Sequence, residues 1–282
     1  MTRKLFCEIS PLTYKISYES HILKRKMTDV LKTHIAKDKG DSKLPFVIFE
    51  HQSLMRRRLR KVPVPVEEAK VNNLKIATPK VDRVLIKPGE TFSFWSLVGR
   101  CTVQNGYQSG LMVANDGQLK KGTGGGLCQF SNLIHWMILH SPLDVVEKYH
   151  HEQVDMFPDS DRQVPFGSGT SIVYNYLDYR FKNNTQTTYQ LITYVGDKYL
   201  HGELRASELP KNTYEVKMVD EKFVEENGQV YRCGNIFQYV LENEQIISEK
   251  LIKTNHARVA YDTSNVKVYK ENTSTSPVSD KN

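Results

Sequence analysis

One sequence feature constrains this 282-residue chain more than any other: a run of glycines, followed by a cysteine and then by an apolar pattern with helical spacing. Four of the five positions in residues 122–126 are glycine, and Cys128 follows closely. Apolar residues then recur at helical spacing and predict an amphipathic helix that Pro142 ends. The predicted apolar stripe consists of Phe130, Leu133, Ile134, Met137 and Ile138. The sequence therefore predicts a sharp turn that opens a helix near the middle of the chain.

The predicted helix places Cys128 away from its apolar stripe. At about 100° per residue, Cys128 shares a face with Asn132 and His135, directed toward a cleft or a second layer. Backbone N–H groups in a first helical turn lack partners, and the helix dipole is positive there. Both effects favour a thiolate and predict a lowered pKa for Cys128. The side chain of Gln129 or the glycine-run backbone would serve as oxyanion donor.

The glycine run also suggests a binding surface, because glycine lets a ligand approach the backbone closely. The candidate binding residues are Gly124, Gly125, Gly126, Asn132, Trp95 and Tyr107. The aromatic residues have two interpretations, the lining of a sugar or peptide groove and core packing, and burial of large aromatics favours core packing. The run lacks the Gly-Lys-Ser/Thr of a P-loop and the spacing of a dinucleotide fold.

A catalytic thiol needs a base, and the histidines limit the choice. His135 lies seven residues beyond Cys128, about 10 Å along a helix, which is too far for direct proton transfer. The remaining candidates, His150 and His151, lie in a segment predicted as a strand over residues 143–154. Neighbours on a strand face opposite sides, so only one of the two can face the cysteine.

Composition narrows the class of protein. The four cysteines have no metal-knuckle spacing, and we predict no metal and no cofactor.

The net charge is +7, with basic clusters at residues 24–26 and 56–61. These clusters indicate a solvated surface or peripheral contact with anionic membrane. No nucleic-acid-binding motif is present, and nucleic acid is not expected as a partner. Without a secretory signal or an apolar run of about 20 residues, a cytoplasmic location is expected, with any membrane contact at the inner surface.

Several motifs in one order resemble the VanW family. They are residues 87–94 (KPGETFSF), 98–99 (VG), 105–107 (NGY), 124–131 (GGGLCQFS), 146–151 (VEKYHH) and 179–185 (YRFKNNT). The resemblance covers about residues 72–202 and is specific because motifs and spacings agree together. It implies a link to the cell wall or to glycopeptide resistance, since the family takes its name from vancomycin-resistance gene clusters. It does not supply a reaction.

The resemblance also assigns roles by position. The family's cysteine corresponds to Cys128, its glutamine to Gln129 and its later histidine to His151. Many relatives have Asp where Gly169 aligns and Arg where this chain has Lys148. If that Asp orients a triad, this chain lacks it, and the nearby substitutes are Asp155, Asp159 and Asp161.

Three functional hypotheses follow. The first is a thiol enzyme acting on amide or acyl groups of peptidoglycan or its precursors, with Cys128 as nucleophile and His151 as base. The second is a non-catalytic binding module for a cell-wall-related ligand or partner. The third is a metal site formed by Cys128, His151 and Glu152.

The predicted fold is α+β, with N-terminal helices followed by the cysteine-bearing helix packed on a mainly antiparallel sheet. The predicted units are a basic helical region (1–65), a VanW-like domain (66–206), a β-rich extension (207–268) and a disordered tail (269–282). Pro63 and Pro65 mark the first boundary. The predicted helices are residues 21–37, 46–61 and 66–76; the predicted strands are residues 82–86, 189–195, 199–206, 222–224, 230–232, 237–241 and 245–252.

Overall fold

The computed structural model describes residues 5–56, 64–113, 119–150, 154–155 and 164–270. The helices are α1 (Pro11–Lys32), α2 (Val64–Val81), α3 (Phe94–Val98) and α4 (Cys128–Ile138). The strands are β1 (Phe46–Leu54), β2 (Leu85–Ile86), β3 (Thr91–Ser93), β4 (Ser109–Val113), β5 (Leu119–Thr123), β6 (Asp144–Glu147), β7 (Val154–Asp155), β8 (Arg180–Lys182), β9 (Tyr189–Val195), β10 (Tyr199–Ala206), β11 (Thr213–Glu226), β12 (Gln229–Glu242), β13 (Gln245–Val259) and β14 (Val268–Lys270). Among these residues, no helix combines the length and apolar character needed to cross a membrane.

The central sheet has the strand order β1-β10-β9-β2 and is antiparallel throughout. Helix α4 packs on β1 and β10, and α2 packs on β9. Apolar residues on these inner faces form one core, which includes Leu74, Phe130, Ile134, Met137, Leu191 and Leu204. The predicted α+β class, with the cysteine helix on an antiparallel sheet, is confirmed.

The described residues form three further sheets, of three, two and five strands. They have the orders β3-β8-β6, β4-β5 and β14-β11-β12-β13-β7. The hairpin between β11 and β12 turns at Asn227 and Gly228, whose φ angles are 50° and 75°. Positive φ at both central residues is the geometry that an Asn-Gly pair favours. The hairpin joins the segments predicted as strands at residues 222–224 and 230–232.

The N-terminal prediction is wrong for its second helix. Residues 46–54 form strand β1, which pairs antiparallel with β10. The start of β1, Phe-Val-Ile-Phe, is rich in the aromatic and β-branched residues that fit a pleated sheet, and pairing with β10 satisfies its backbone. The predicted unit of residues 1–65 therefore shares a sheet with residues 66–206.

Other elements begin or end away from their predicted limits. Helix α1 starts earlier than predicted, because Pro11 takes the first helical position and Ser10 Oγ accepts from the Thr13 N–H at 3.2 Å. Pro65 lies in the first turn of α2 instead of ending a helix, a position that proline tolerates. Strand β6 ends at Glu147, and residues 237–241 belong to β12. Pro63 and the tail from residue 271 lie outside the described residues.

Candidate functional site

The glycine run connects β5 to α4 through a turn packed against protein. Gly124 and Gly126 have φ angles of 81° and 93°. A Cβ atom on Gly125 would lie 2.2 Å from the carbonyl carbon of Gly110, so the two backbones touch. The buried Asn73 donates to the Gly125 carbonyl at 2.9 Å and fixes this contact. The glycines are therefore required by packing, and β4 occupies the side of Gly125 that was expected to admit a ligand.

Several hydrogen-bond donors in the first turn of α4 are already engaged within the protein. The N–H of Gln129 donates to the Gly126 carbonyl at 3.1 Å, and that of Phe130 donates to the Leu127 carbonyl at 2.9 Å. The Gln129 side-chain amide donates twice to β1, at 2.8 and 2.9 Å. Gln129 thus ties the helix to the central sheet, and the oxyanion role expected from sequence remains a prediction.

Cys128 is partly exposed as a residue and packs against the edge of the core. Burial raises the pKa of its thiol above the ordinary value, and hydrogen bonds from the N–H groups of Ile172 and of Cys128 itself oppose that effect only in part. The predicted lowering of the pKa is therefore wrong. The segment that carries Ile172 covers this end of the helix, and the resulting desolvation outweighs the N–H groups.

This covering segment, residues 169–172, is held on α4 by hydrogen bonds. Asn132 Oδ1 accepts from the N–H of Thr170 at 2.6 Å and from its hydroxyl at 2.8 Å. The hydroxyls of Ser131 and Thr170 lie 2.6 Å apart. Residues 169–172 thus form a second layer over the cysteine face of α4, the face that carries Cys128 and Asn132. A second layer is one of the two environments predicted for this face.

His150 is the histidine that the described residues place at this layer. A Cβ atom on Gly169 would lie 2.9 Å from His150 Cε1 and 3.7 Å from Asn132 Oδ1. The His150 imidazole and the Asn132 side chain therefore both lie close to Gly169. Asn132 is one helical turn beyond Cys128 on the same face of α4. An Asp at position 169, which the resemblance to the family suggests for many relatives, would have its Cβ atom next to the His150 ring.

Further along the same face, His135 is fully buried and contacts two ionisable groups. Its Nδ1 lies 3.1 Å from the Tyr179 hydroxyl, and its Nε2 lies 3.5 Å from Lys148 Nζ. Burial, assisted by the charges of Lys148 and His150, lowers the pKa of His135 well below its ordinary value. His135 is therefore a neutral imidazole near pH 7. Titratable groups with strongly perturbed pKa values cluster at functional sites.

Several predicted residues lie outside the described part of the chain. These are His151, Glu152, Asp159 and Asp161, so the roles assigned to them remain predictions. Asp155 is described and belongs to the C-terminal sheet. Its carboxylate lies 3.3 Å from Arg232 and accepts from the Tyr261 hydroxyl at 2.7 Å.

The aromatic binding candidates lie in the core. Trp95 is 6% exposed and donates through its indole N–H to the Leu177 carbonyl at 3.0 Å. Tyr107 is 1% exposed, with its hydroxyl 3.3 Å from Lys80 Nζ. Trp95 and Tyr107 are therefore core residues, and neither side chain lines an open groove.

Sequence reasoning missed four members of the site: Lys148, Thr170, Ile172 and Tyr179. Lys148 was noted only as a departure from the family's Arg. The other three belong to segments far from α4 in sequence, and no spacing rule connects them to the helix. These three residues join the site because residues 169–180 fold back across the face of α4 that carries Cys128.

Together, fold and site define an α+β protein with a half-enclosed cysteine at the start of a helix. The family profile described as "VanW like protein" matches residues 69–205. The "Vancomycin B-type resistance protein VanW" of Enterococcus faecalis is 34% identical over 224 residues, which cover 79% of this chain and 81% of that protein. This chain belongs to the VanW family.

A second relative shares a shorter region. The "Uncharacterized protein YoaR" of Bacillus subtilis is 30% identical over 116 residues, or 41% of this chain and 36% of that protein. No solved structure matches.

Proposed function

We propose that this protein contributes to glycopeptide resistance as a thiol enzyme acting on an amide or acyl group of peptidoglycan or its precursors. The family supports the biological setting, through a relative named for vancomycin resistance. The observation that carries the chemistry is the placement of Cys128 and Asn132 on one helical face, with Gly169 close to both the Asn132 side chain and the His150 imidazole. A cytoplasmic location, as expected from the sequence, is part of the proposal.

The proposed reaction begins from a protonated thiol, because burial raises the pKa of Cys128. A neutral histidine accepts the thiol proton while Sγ attacks the carbonyl carbon. The tetrahedral intermediate collapses, the C–N or C–O bond breaks, and the leaving group takes the proton from the histidine. Water then hydrolyses the thioester and restores the thiol. His150 is our first choice for this base, and His151, indicated by the family pattern, is the alternative.

The engaged donors of the first turn favour a second candidate function, a binding module without turnover. The N–H groups of Gln129 and Phe130, and the Gln129 side chain, are all occupied. In that case the layer formed by residues 169–172 would act as a ligand-binding edge and Cys128 would only shape it.

One experiment separates the two functions. Stem-peptide fragments and lipid-linked precursors are incubated with the purified protein, and products and bound ligand are both measured by mass spectrometry. A thiol enzyme forms product that the Cys128→Ala variant does not form. His150→Ala and His151→Ala, compared side by side, identify the base by the larger loss. Binding without product in any protein would favour the binding module, and product from Cys128→Ala would refute the thiol mechanism.

A further inference from the structure

Helix α1 carries an apolar stripe that faces solvent. Its members are 50–84% exposed and are Leu12, Ile16, Leu23, Met27, Val30 and Leu31. At about 100° per residue they fall within a sector about 100° wide. The sequence pattern predicts an amphipathic helix in this region, and such a stripe normally faces the core. Here it faces away from the described body of the protein, so the stripe is available to a partner outside it.

The opposite, polar face of α1 binds the protein and prevents the helix from turning its stripe inward. Asp29 pairs with Arg180, and Arg25 pairs with Glu147. Both carboxylate–guanidinium contacts are largely shielded from solvent. Ile22 is the sole buried residue of α1. The orientation of the stripe is therefore fixed by ion pairs.

Lysines flank the stripe on both sides. Lys15 and Lys26 lie along one edge and Lys24 along the other, and all three are exposed. Glu19, at the edge of the stripe, is paired with Arg100 at 2.9 Å. An apolar stripe bordered by lysines is the pattern of helices that lie in the plane of a bilayer, because lysine stems extend the apolar surface while their ammonium groups reach anionic headgroups.

We propose that α1 docks this protein in the plane of a bilayer with anionic headgroups, with its apolar stripe at the boundary of headgroups and acyl chains. Pairing with a second copy is less favourable, because it would align the flanking lysines of both helices along one seam. The ion pairs of Asp29 and Arg25 would hold the cysteine face at a fixed position relative to the membrane. The proposal stands whether or not Cys128 is catalytic.

The test is co-sedimentation of the full chain with phosphatidylcholine vesicles, with and without phosphatidylglycerol. Binding is expected only with the anionic lipid and should weaken with salt. The double variant Leu23→Ser, Val30→Ser should lower the partition coefficient more than about tenfold, since each buried methylene contributes. Leu209→Ser is the matched control, because Leu209 is 67% exposed and lies outside α1. Neutralising Lys15, Lys24 or Lys26 should cost about fivefold each.

Two results would overturn this proposal. One is a failure of the membrane test: either the wild-type chain does not bind the anionic vesicles, or the Leu23→Ser, Val30→Ser variant binds them as well as the wild type does. The other is a wild-type dimer, seen by sedimentation without vesicles, that the same variant converts to a monomer. That outcome would assign the stripe to a second copy of the chain.

A separate cluster in the C-terminal sheet has the ligand atoms of a metal site. Cys233 on β12 and His256 on β13 are direct partners in the register. His256 Nε2 lies 2.9 and 3.0 Å from the carboxylate oxygens of Glu226 at the end of β11. The ligand atoms of all three residues lie within 4.8 Å of one another. Tyr231 stacks on the His256 ring at 4.6 Å and helps to orient it.

The geometry points to a surface site for a zinc-like divalent ion, with one sulfur, one nitrogen and one oxygen ligand from the protein. Small side-chain rotations would bring these atoms to about 2.0–2.3 Å from a common ion, and a fourth position would stay open for water or a ligand. The sequence predicts no metal because the three ligands are 7 and 23 residues apart, and only the pairing of β11, β12 and β13 brings them together.

Cobalt titration of the chelator-treated full chain tests this site. A sulfur-to-cobalt charge-transfer band and tetrahedral d–d bands are expected to appear together at one equivalent. Cys233→Ser should abolish the charge-transfer band while circular dichroism confirms the fold, and His256→Ala and Glu226→Gln should weaken binding. Cys7→Ser, the control, should leave the spectrum unchanged. A charge-transfer band that persists in Cys233→Ser, or no absorption in the wild type, would refute the site.

Discussion

Arg180 forms a two-pronged ion pair with Asp29, with Nη1 2.6 Å and Nη2 2.7 Å from the two carboxylate oxygens. The same guanidinium donates through Nε to Asp178 at 2.7 Å. Asp178 is fully buried and also accepts from the Ser93 hydroxyl at 2.6 Å. Helix α1 is thus joined by charge to the small sheet that carries β3 and β8.

Removing one partner of this pair should be costly. Asp29→Ala leaves a largely buried guanidinium with one carboxylate fewer, and we expect a loss of about 3 kcal/mol in the free energy of unfolding. Urea denaturation measures it. Asp41→Ala, at an exposed carboxylate, should change stability by less than about 0.5 kcal/mol. Equal effects of the two variants would show that the pair contributes nothing beyond an ordinary surface charge.

The close contact of Gly125 with Gly110 predicts a severe effect of one methyl group. Gly125→Ala would force two backbones apart, and a loss of about 3 kcal/mol or more is expected from thermal or urea unfolding. Gly89→Ala is the comparison, because Gly89 has φ of 81° but open space around its Cβ position. That substitution should cost only about 1 kcal/mol. A tolerated Gly125→Ala would contradict the packing of the glycine run.

The thiol of Cys128 should react slowly in neutral and mildly acidic solution. Burial raises its pKa, so the thiolate becomes populated only on the alkaline side of the ordinary cysteine range. Cys101, whose pKa is raised to about 11, should follow the same pattern. Alkylation rates at each cysteine, followed by peptide mass spectrometry from pH 6 to 10, test this. Rapid alkylation of Cys128 at pH 6 would contradict a raised pKa and support the low pKa expected from sequence.

Because the folded state favours the neutral Cys128 thiol, its contribution to stability has a defined sign. Below the unfolded pKa both states hold the proton and the contribution is complete. As pH rises through the ordinary thiol range, the unfolded chain releases its proton first, and stability is lost. A Cys128→Ser variant should show a smaller alkaline loss of stability, measured by the urea midpoint against pH.

His135 has the opposite dependence. Its folded pKa is lowered well below the ordinary value by burial and by Lys148 and His150. The unfolded chain therefore takes up a proton as pH falls below about 6.5, whereas the folded state does not, and stability falls with acid. In His135→Gln the decline between pH 6.5 and 5 should be shallower. An unchanged slope would place the acid sensitivity at another group.

Gly169 offers a test of the histidine assignment. Gly169→Asp would introduce the carboxylate that many relatives carry, beside His150, and would favour its protonated form. Gly169→Ala is the steric control, because a Cβ atom there also displaces the His150 ring. If His150 is the partner of Cys128, the alkylation rate of Cys128 should differ between Gly169→Asp and Gly169→Ala. Equal alkylation rates in the two variants would argue against His150 and in favour of His151 as the partner of Cys128.

Local sequence determined the elements whose own residues supply the reason for their structure. The stripe from Phe130 to Ile138 and the stop before Pro142 define α4, and alternation defines β10. The Asn227-Gly228 pair defines its hairpin through positive φ angles. The family motifs added the cysteine position, because they are short and ordered along the chain.

Tertiary structure decided which side of each element is buried and which charges meet. Residues 46–54 became a strand because β10 supplies hydrogen-bond partners that no local pattern shows. Helix α1 turned its apolar stripe outward because Asp29 and Arg25 find buried partners on other segments. The pKa of Cys128 rose because residues 169–172, some 40 positions later in the chain, cover it. Sequence spacing sets local geometry, whereas burial depends on segments that are distant in sequence and close in space.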